Sequence, residues 1–297
     1  MIDNSNTAPM TQNPCYAMPL VNSLSGGKTS SYMAKHYPAD YNVFALVRIE
    51  ADYCKPKDES IVKYVSDKIG MDFIATAESD ITLYLMRDLE QLLGKEIKWV
   101  TGETFDQVIR NQNCIPNMFK RFCTKELKVK PIFEWWQQNF EENIQINIGY
   151  RYDEIERGYE KKDDKTLIKK EEKPFKIIVG KHPSGRNKWK KIHWRKEQFP
   201  LIDDKVTHWT VYKWALETGL IFPKDSNCAG CFWKPEPQLR KNFEDEPLKM
   251  RWFKEKEIEM KRRWKNEHTY SQIEKYPLQL DFFFGTGSGC QAGYCTD

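Results

Sequence analysis

The chain has 297 residues, of which 40% are hydrophobic, 30% charged and 13% aromatic, with a formal net charge of +4. That balance buries a sizeable core and excludes a disordered chain. No apolar run is long enough to cross a bilayer, and residues 1–17 lack the basic-then-apolar order of a secretory signal, so a cytoplasmic protein with no membrane partner is expected.

Residues 1–17 read as a loose arm, followed by an α/β nucleotide-binding domain over 18–158. Its organising stretch runs from Pro19 to Ser31, where a short apolar segment stops at Ser25-Gly26-Gly27 and a helix-forming segment starts at Lys28. Strand, glycine turn and helix N-terminus together make a phosphate cradle, because glycines admit close backbone approach and the first helical turn offers unpaired N–H groups. Lys28 adds a cation, and Ser23, Ser25, Thr29 and Ser30 add hydroxyls. The spacing differs from that of the common P-loop, which has four residues between its glycines.

Asn42–Ile49 reads as one strand buried on both faces, Asp58–Ile69 as a helix, Asp72–Ala77 as a third short strand and Ile81–Gly94 as a helix. This alternation predicts βαβ units in a doubly wound parallel sheet, with ligand at the carboxyl ends of the strands. Trp99–Arg110 is a mixed segment assigned to the cleft wall. Lys120, Arg121, Lys125, Lys128 and Lys130 then surround Cys123. Such a cluster attracts phosphate or sulfate and lowers a thiol pKa, although a lone cysteine at a helix start also serves as a small buried hydrophobe. Ile144–Arg151 reads as a strand ending in Gly149 and Arg151, followed by Asp153, Glu154 and Arg157.

A basic insertion occupies 159–198. From Glu160 to Lys196 there are fourteen Lys/Arg against five Asp/Glu. A solvated insertion is one reading; the other is an arm for DNA or RNA, since Trp189, His193 and Trp194 interleave with Arg186, Lys188, Lys190, Lys191 and Arg195. Residues 199–297 read as a helical, cysteine-containing part. It has a helix capped by Thr207, the pair Cys228-x-x-Cys231, a charged helix over 246–266 with Trp252, Phe253 and Trp264 for packing, and a Gly-rich tail with Cys290 and Cys295. Eight cysteines in a reducing compartment point to metal or redox chemistry rather than disulfides.

Four of these landmarks, in this order, resemble the phosphoadenosine phosphosulfate (PAPS) reductase family within the adenine nucleotide alpha-hydrolase-like, PP-loop group. They are Ser25 to Ser30, Cys123 to Pro131, Gly149 to Arg151 with Glu154 and Arg157, and Pro200-Leu201-Ile202 with the Trp209 helix before Cys228 and Cys231. The resemblance spans about Leu20 to Trp233. It implies a Rossmann-like sheet whose loop, Ser23, Ser25 to Ser30, Gly149 and Arg151, holds ATP (or PAPS), with magnesium the ion to consider beside it. Thr29 stands where an aspartate is usual. The resemblance also implies a [4Fe-4S] cluster on Cys123, Cys228, Cys231 and a tail cysteine, Cys290 or Cys295, with zinc as the alternative on the same thiolates.

Three functions follow. The first is an ATP-using enzyme that cleaves between the α and β phosphates, with Lys28 and Arg151 stabilising charge, Arg121, Lys125, Lys128 and Arg157 binding substrate or phosphate, and sulfur transfer or adenylation directed to an acceptor such as a nucleic acid base. The second is a sulfonucleotide reductase with Cys295 or Cys290 as nucleophile. The third is a nucleotide- or nucleic-acid-binding protein without turnover. A homodimer stays open.

Overall fold

The computed structural model describes residues 18–162, 166–225 and 227–278. Its centre is a five-stranded sheet in which every pairing is parallel. The strands are β1 (Leu20–Leu24), β2 (Tyr41–Ala45), β5 (Ile97–Val100), β6 (Ile144–Asn147) and β11 (Arg195–Gln198), and their spatial order is β11-β6-β1-β2-β5. The chain moves outward from β1 through β2 to β5, then restarts on the other side of β1 with β6 and β11. The reversal lies between β1 and β6, which is where open α/β sheets form their ligand crevice.

Side chains alternate across the sheet as the pleat requires. On one face Leu24 and Phe44 pack with α1 (Lys28–His36), α2 (Glu59–Ile69) and α3 (Ile81–Leu93). On the other, Val21, Val43, Ile144 and Ile146 pack against Ile132, Phe133 and Trp136 of α6 (Lys130–Asn139). One polar ladder crosses the buried sheet: Asn147 Nδ2 donates to Asn22 Oδ1 (2.9 Å), and Asn22 Nδ2 donates to Asn42 Oδ1 (3.1 Å) and to the Tyr37 carbonyl (2.9 Å). Each amide finds partners, which is the condition for burying them.

Several sequence expectations are corrected. The apolar run 42–49 is not one strand: it bends after Ala45, and β3 (Arg48–Ile49) pairs antiparallel with β4 (Ala75–Thr76) in a separate two-stranded sheet. The run is continuously apolar because Leu46 and Val47 in the bend are also buried. Edge strand β5 runs into the start of the segment 99–110 assigned to the cleft wall. The end of the basic insertion supplies the opposite edge, β11, so Trp194 is 1% exposed beneath Phe133 and Trp136 and is not available for stacking on bases. The rest of the insertion forms two antiparallel hairpins, β7 (Tyr159–Lys161) with β8 (Leu167–Lys169) and β9 (Phe175–Lys181) with β10 (Asn187–Ile192).

The remaining helices pack in a second core with β3 and β4 or against α1. They are α4 (Phe105–Gln112), with a Thr104–Gln107 capping box, α5 (Phe122–Thr124), α7 (Pro200–Asp203), α8 (His208–Glu217), α9 (Glu236–Asp245), α10 (Pro247–Met260) and α11 (Tyr270–Ile273). The helix read over 246–266 stops at Met260, where Lys261 turns into the left-handed region at φ 49°. Trp252, Phe253 and Trp264 are buried at 2%, 1% and 1% and pack a core with Phe105, Phe232 and Tyr270. Between α5 and α6, Lys125–Val129 is π-helical, with Lys130 N–H bonded to the Lys125 carbonyl. Pro131 has no N–H to give the regular ladder there, so the helix widens a turn earlier. No helix among the described residues is long and apolar enough to cross a membrane.

Candidate nucleotide cleft and thiol pocket

The glycine loop follows β1 directly, and Gly26 holds it open. Its φ is +75°, and a Cβ there would lie 2.4 Å from Thr82 Cγ2, so both conformation and space require glycine. Ser30 closes the loop from inside: its Oγ accepts from the Ser25 N–H (3.1 Å) and donates to the Gly27 carbonyl (3.1 Å). Gly27 is the N-cap of α1 and has no side chain to cap it, so the first-turn N–H groups face the cleft. Lys28 stands beside them. Burial lowers its pKa and nearby Asp225 opposes that shift.

The other lip is the loop after β6. Gly149 lies flat against the start of α1, with space for a Cβ only 3.6 Å from Ser30 Cα. Two residues on, Arg151 Nη1 donates to Thr29 Oγ1 at 3.0 Å, while Nη2 pairs with Asp153 (3.1 Å) and Glu154 (3.4 Å). Glu154 also holds Arg157 (3.1 Å), whose guanidinium lies 4.1 Å from the centre of the Tyr150 ring. The two loops are thus bonded to each other through Arg151 and Thr29.

Between the lips is a cleft of about 200 Å³. Its floor is apolar, from Ala45, Ile146, Ile148, Val129 and Ile132, and its mouth is polar, from Ser25, Gly27, Lys28, Thr29, Arg151 and His208. Lys128 and Arg157 line the cleft, as does Ser23. Arg121 and Lys125 lie outside its lining: Arg121 stacks over Trp233 at 5.1 Å, and Lys125 pairs with Glu126 at 3.1 Å.

Two cleft residues escape a reading of the sequence. His208 opens α8 and donates its N–H to Asp153 Oδ1 at 2.9 Å, so that carboxylate, not the Thr207 hydroxyl, caps the helix. Burial depresses the His208 pKa, Arg151 and Lys28 depress it further, and Asp153 and Glu154 oppose them. The only signal in the sequence is a histidine after a cap-type threonine. Arg195, read as part of the basic arm, points into the cleft from β11 and pairs with Glu197 at 2.6 Å.

A second pocket adjoins the first through Thr124, Lys128 and Asn227, and Cys123, Cys228 and Cys231 line it together. The expectation that basic neighbours lower the Cys123 pKa is overturned. Burial raises it and outweighs Thr124, Arg121 and Lys128; burial likewise pushes the Cys228 thiol up to about 12 and raises Cys231. The knuckle that carries the pair is fixed by its own carbonyls. Ala229 O accepts from Asn242 Nδ2 (2.7 Å) and Lys234 Nζ (3.1 Å), Gly230 O from Tyr270 Oη (2.8 Å), and Phe232 O from Lys265 Nζ (3.1 Å). A Cβ on Gly230 would fall 2.3 Å from Phe253 Cγ. Lys234 is 1% exposed and pairs with Asp225 at 2.7 Å, which ties the knuckle to the cleft that Asp225 lines. Lys128 Nζ, on the shared wall, is held by buried Glu78 at 2.8 Å.

Among the described residues, the one set of three ligand-type side chains whose donor atoms all fall within 4.8 Å of one another is Glu236, Glu267 and His268, so the three thiols are spread wider than that. Cys290 and Cys295 lie outside the described residues.

No family model, curated protein or solved structure matches this chain.

Proposed function

We propose that the chain is a PP-loop enzyme similar to the PAPS reductase family, with a Rossmann-like doubly wound sheet, that binds ATP in the β1/β6 cleft and cleaves it between the α and β phosphates. The observation that carries this reading is the bonded pair of lips at the switch point, with Gly26 and Lys28 on one side and Arg151 on the other, above an apolar floor. In the reaction an acceptor oxygen or sulfur attacks the α-phosphorus. The bond to the bridging oxygen breaks and its electron pair leaves on pyrophosphate. Lys28, the first-turn N–H groups of α1 and Arg151 face the charge that grows on that leaving group.

The thiol pocket supports a cysteine-held iron-sulfur cluster beside the acceptor. Zinc held by thiolates has Zn–S distances of about 2.3 Å, which places the sulfurs roughly 3.8 Å apart. Cys123, Cys228 and Cys231 are not all within 4.8 Å of one another, wider than such a zinc set, and the proposed cluster takes its fourth ligand from Cys290 or Cys295. When bound, such a cluster supplies redox or sulfur chemistry. The chain's own part is to hold that pocket against the nucleotide cleft through Lys128 and the Lys234–Asp225 pair.

The test is pyrophosphate release from ATP by anaerobically purified protein, with iron and sulfide measured on the same sample. Pyrophosphate with AMP or an adenylated acceptor supports the reading. Phosphate with ADP, or sulfite release from PAPS, contradicts it.

A further inference from the structure

The hairpin β9–β10 leaves the body of the protein with an unbalanced charge. Residues 173–196 contain nine Lys/Arg and no Asp/Glu, and residues 178–191 are exposed without interruption. Among the described residues, Lys176, Lys181, Arg186, Lys188, Lys190 and Lys191 have no ion-pair partner. A hairpin that only needed solubility would gain by mixing signs, since like charges across a ladder repel.

Its two faces differ. Phe175, Ile177 and Ile192 pack inward on the core around Phe133 and Trp194 and anchor the ribbon. On the outer face Trp189 pairs with Ile178, and Lys191 with Lys176. Trp189 is 54% exposed and Ile178 52%, so this pair adds little to the core. Residues two apart on a strand stand about 6.8 Å apart on one face, so Lys191 on one side of Trp189 and Lys181, opposite Asn187, on the other are within reach of the phosphates of an extended chain. An open indole between them offers a surface on which an unpaired base can stack. The next strand, β11, begins with Arg195, which lines the nucleotide cleft.

We infer that the outer face of β9–β10 binds single-stranded nucleic acid, with Trp189 stacking on a base and Lys176, Lys181 and Lys191 on the backbone phosphates. The strand is chosen over a duplex because the indole needs an unstacked base to cover it. This goes beyond the nucleotide reading and, with it, names the acceptor class: a base held beside the cleft.

The experiment is fluorescence anisotropy of a labelled oligo-dT of about 20 nucleotides, long enough to cover one binding site, titrated with the full chain without ATP. Binding is expected at low salt. The slope of log K against log salt should be roughly −0.7 per phosphate contacted, or about −2 for three contacts. Trp189→Ala should weaken binding by about ten-fold and leave the slope unchanged, with Trp189→Phe restoring most of the loss. Lys181→Glu/Lys191→Glu should lower both affinity and slope. These positions are exposed, so melting temperature and ATP affinity should match the parent, which separates failure of the arm from failure of the nucleotide site. Absence of binding at about 50 mM salt, unchanged binding by the variants, or preference for the matching duplex or for anionic phosphatidylserine vesicles would each overturn the inference.

Discussion

Arg151 donates from Nη1 to Thr29 Oγ1 across 3.0 Å, joining the loop after β6 to the first turn of α1. Thr29 therefore acts through its hydroxyl as an acceptor that aims the guanidinium over the glycine loop. Removing the acceptor should loosen that aim while leaving Arg151 on Asp153 and Glu154. We expect Thr29→Val to weaken ATP binding a few-fold and Arg151→Ala by about ten-fold or more, as for the loss of a charge-assisted bond. Calorimetric titration of both variants checks this, and equal losses would contradict the aiming role.

Gly26 is the position where the loop tolerates least. Gly26→Ala should cost about 2–4 kcal/mol, combining the left-handed backbone with overlap against Thr82. Thr82→Ser removes the methyl group that an added Cβ meets at 2.4 Å. The double variant should recover part of the loss but not the backbone share. Urea unfolding of the three variants measures it.

The Lys234–Asp225 pair holds the cysteine knuckle against the β1/β6 cleft. Lys234→Met strands a carboxylate that is only 9% exposed and should cost about 3–5 kcal/mol. Lys234→Met/Asp225→Asn should cost less than the single change, because no buried charge is left alone. A double variant no more stable than Lys234→Met would show that the pair is not the tie proposed.

His208 gives stability a defined slope with pH. Its folded pKa lies below the ordinary histidine value of 6.5, so below that pH the unfolded chain binds the proton more readily than the folded one. The protein should lose stability as pH falls from 6.5 toward the folded pKa and show no contribution from this group above 6.5. His208→Gln should flatten that part of the curve. Urea midpoints between pH 5 and 7.5, compared for the two proteins without nucleotide, test the sign.

The sequence made the glycine loop legible because strand, turn and helix are adjacent in the chain. The same holds for α2, α3 and the strand before Gly149, whose apolar spacing is local. What escaped were the edges and the partners. Strand β11 is hidden in a basic stretch because an edge strand needs few apolar residues, and β5 is hidden by the lysine within Ile97–Val100. Arg195 and His208 reach the cleft only through folding. The basic neighbours of Cys123 are adjacent in sequence and suggest a lowered thiol pKa, whereas the burial that outweighs them comes from Phe232, Phe253 and Trp264, more than a hundred residues away.

The central claim is that the β1/β6 cleft is an adenine nucleotide site with Lys28 at its phosphate end. Calorimetric titration of ATP into the full chain and into Lys28→Ala tests it most directly. The account predicts one site in the parent protein and affinity at least about ten-fold weaker in the variant, as for the loss of a charge-assisted contact. No heat of binding in the parent, or equal affinity in the two, would contradict it.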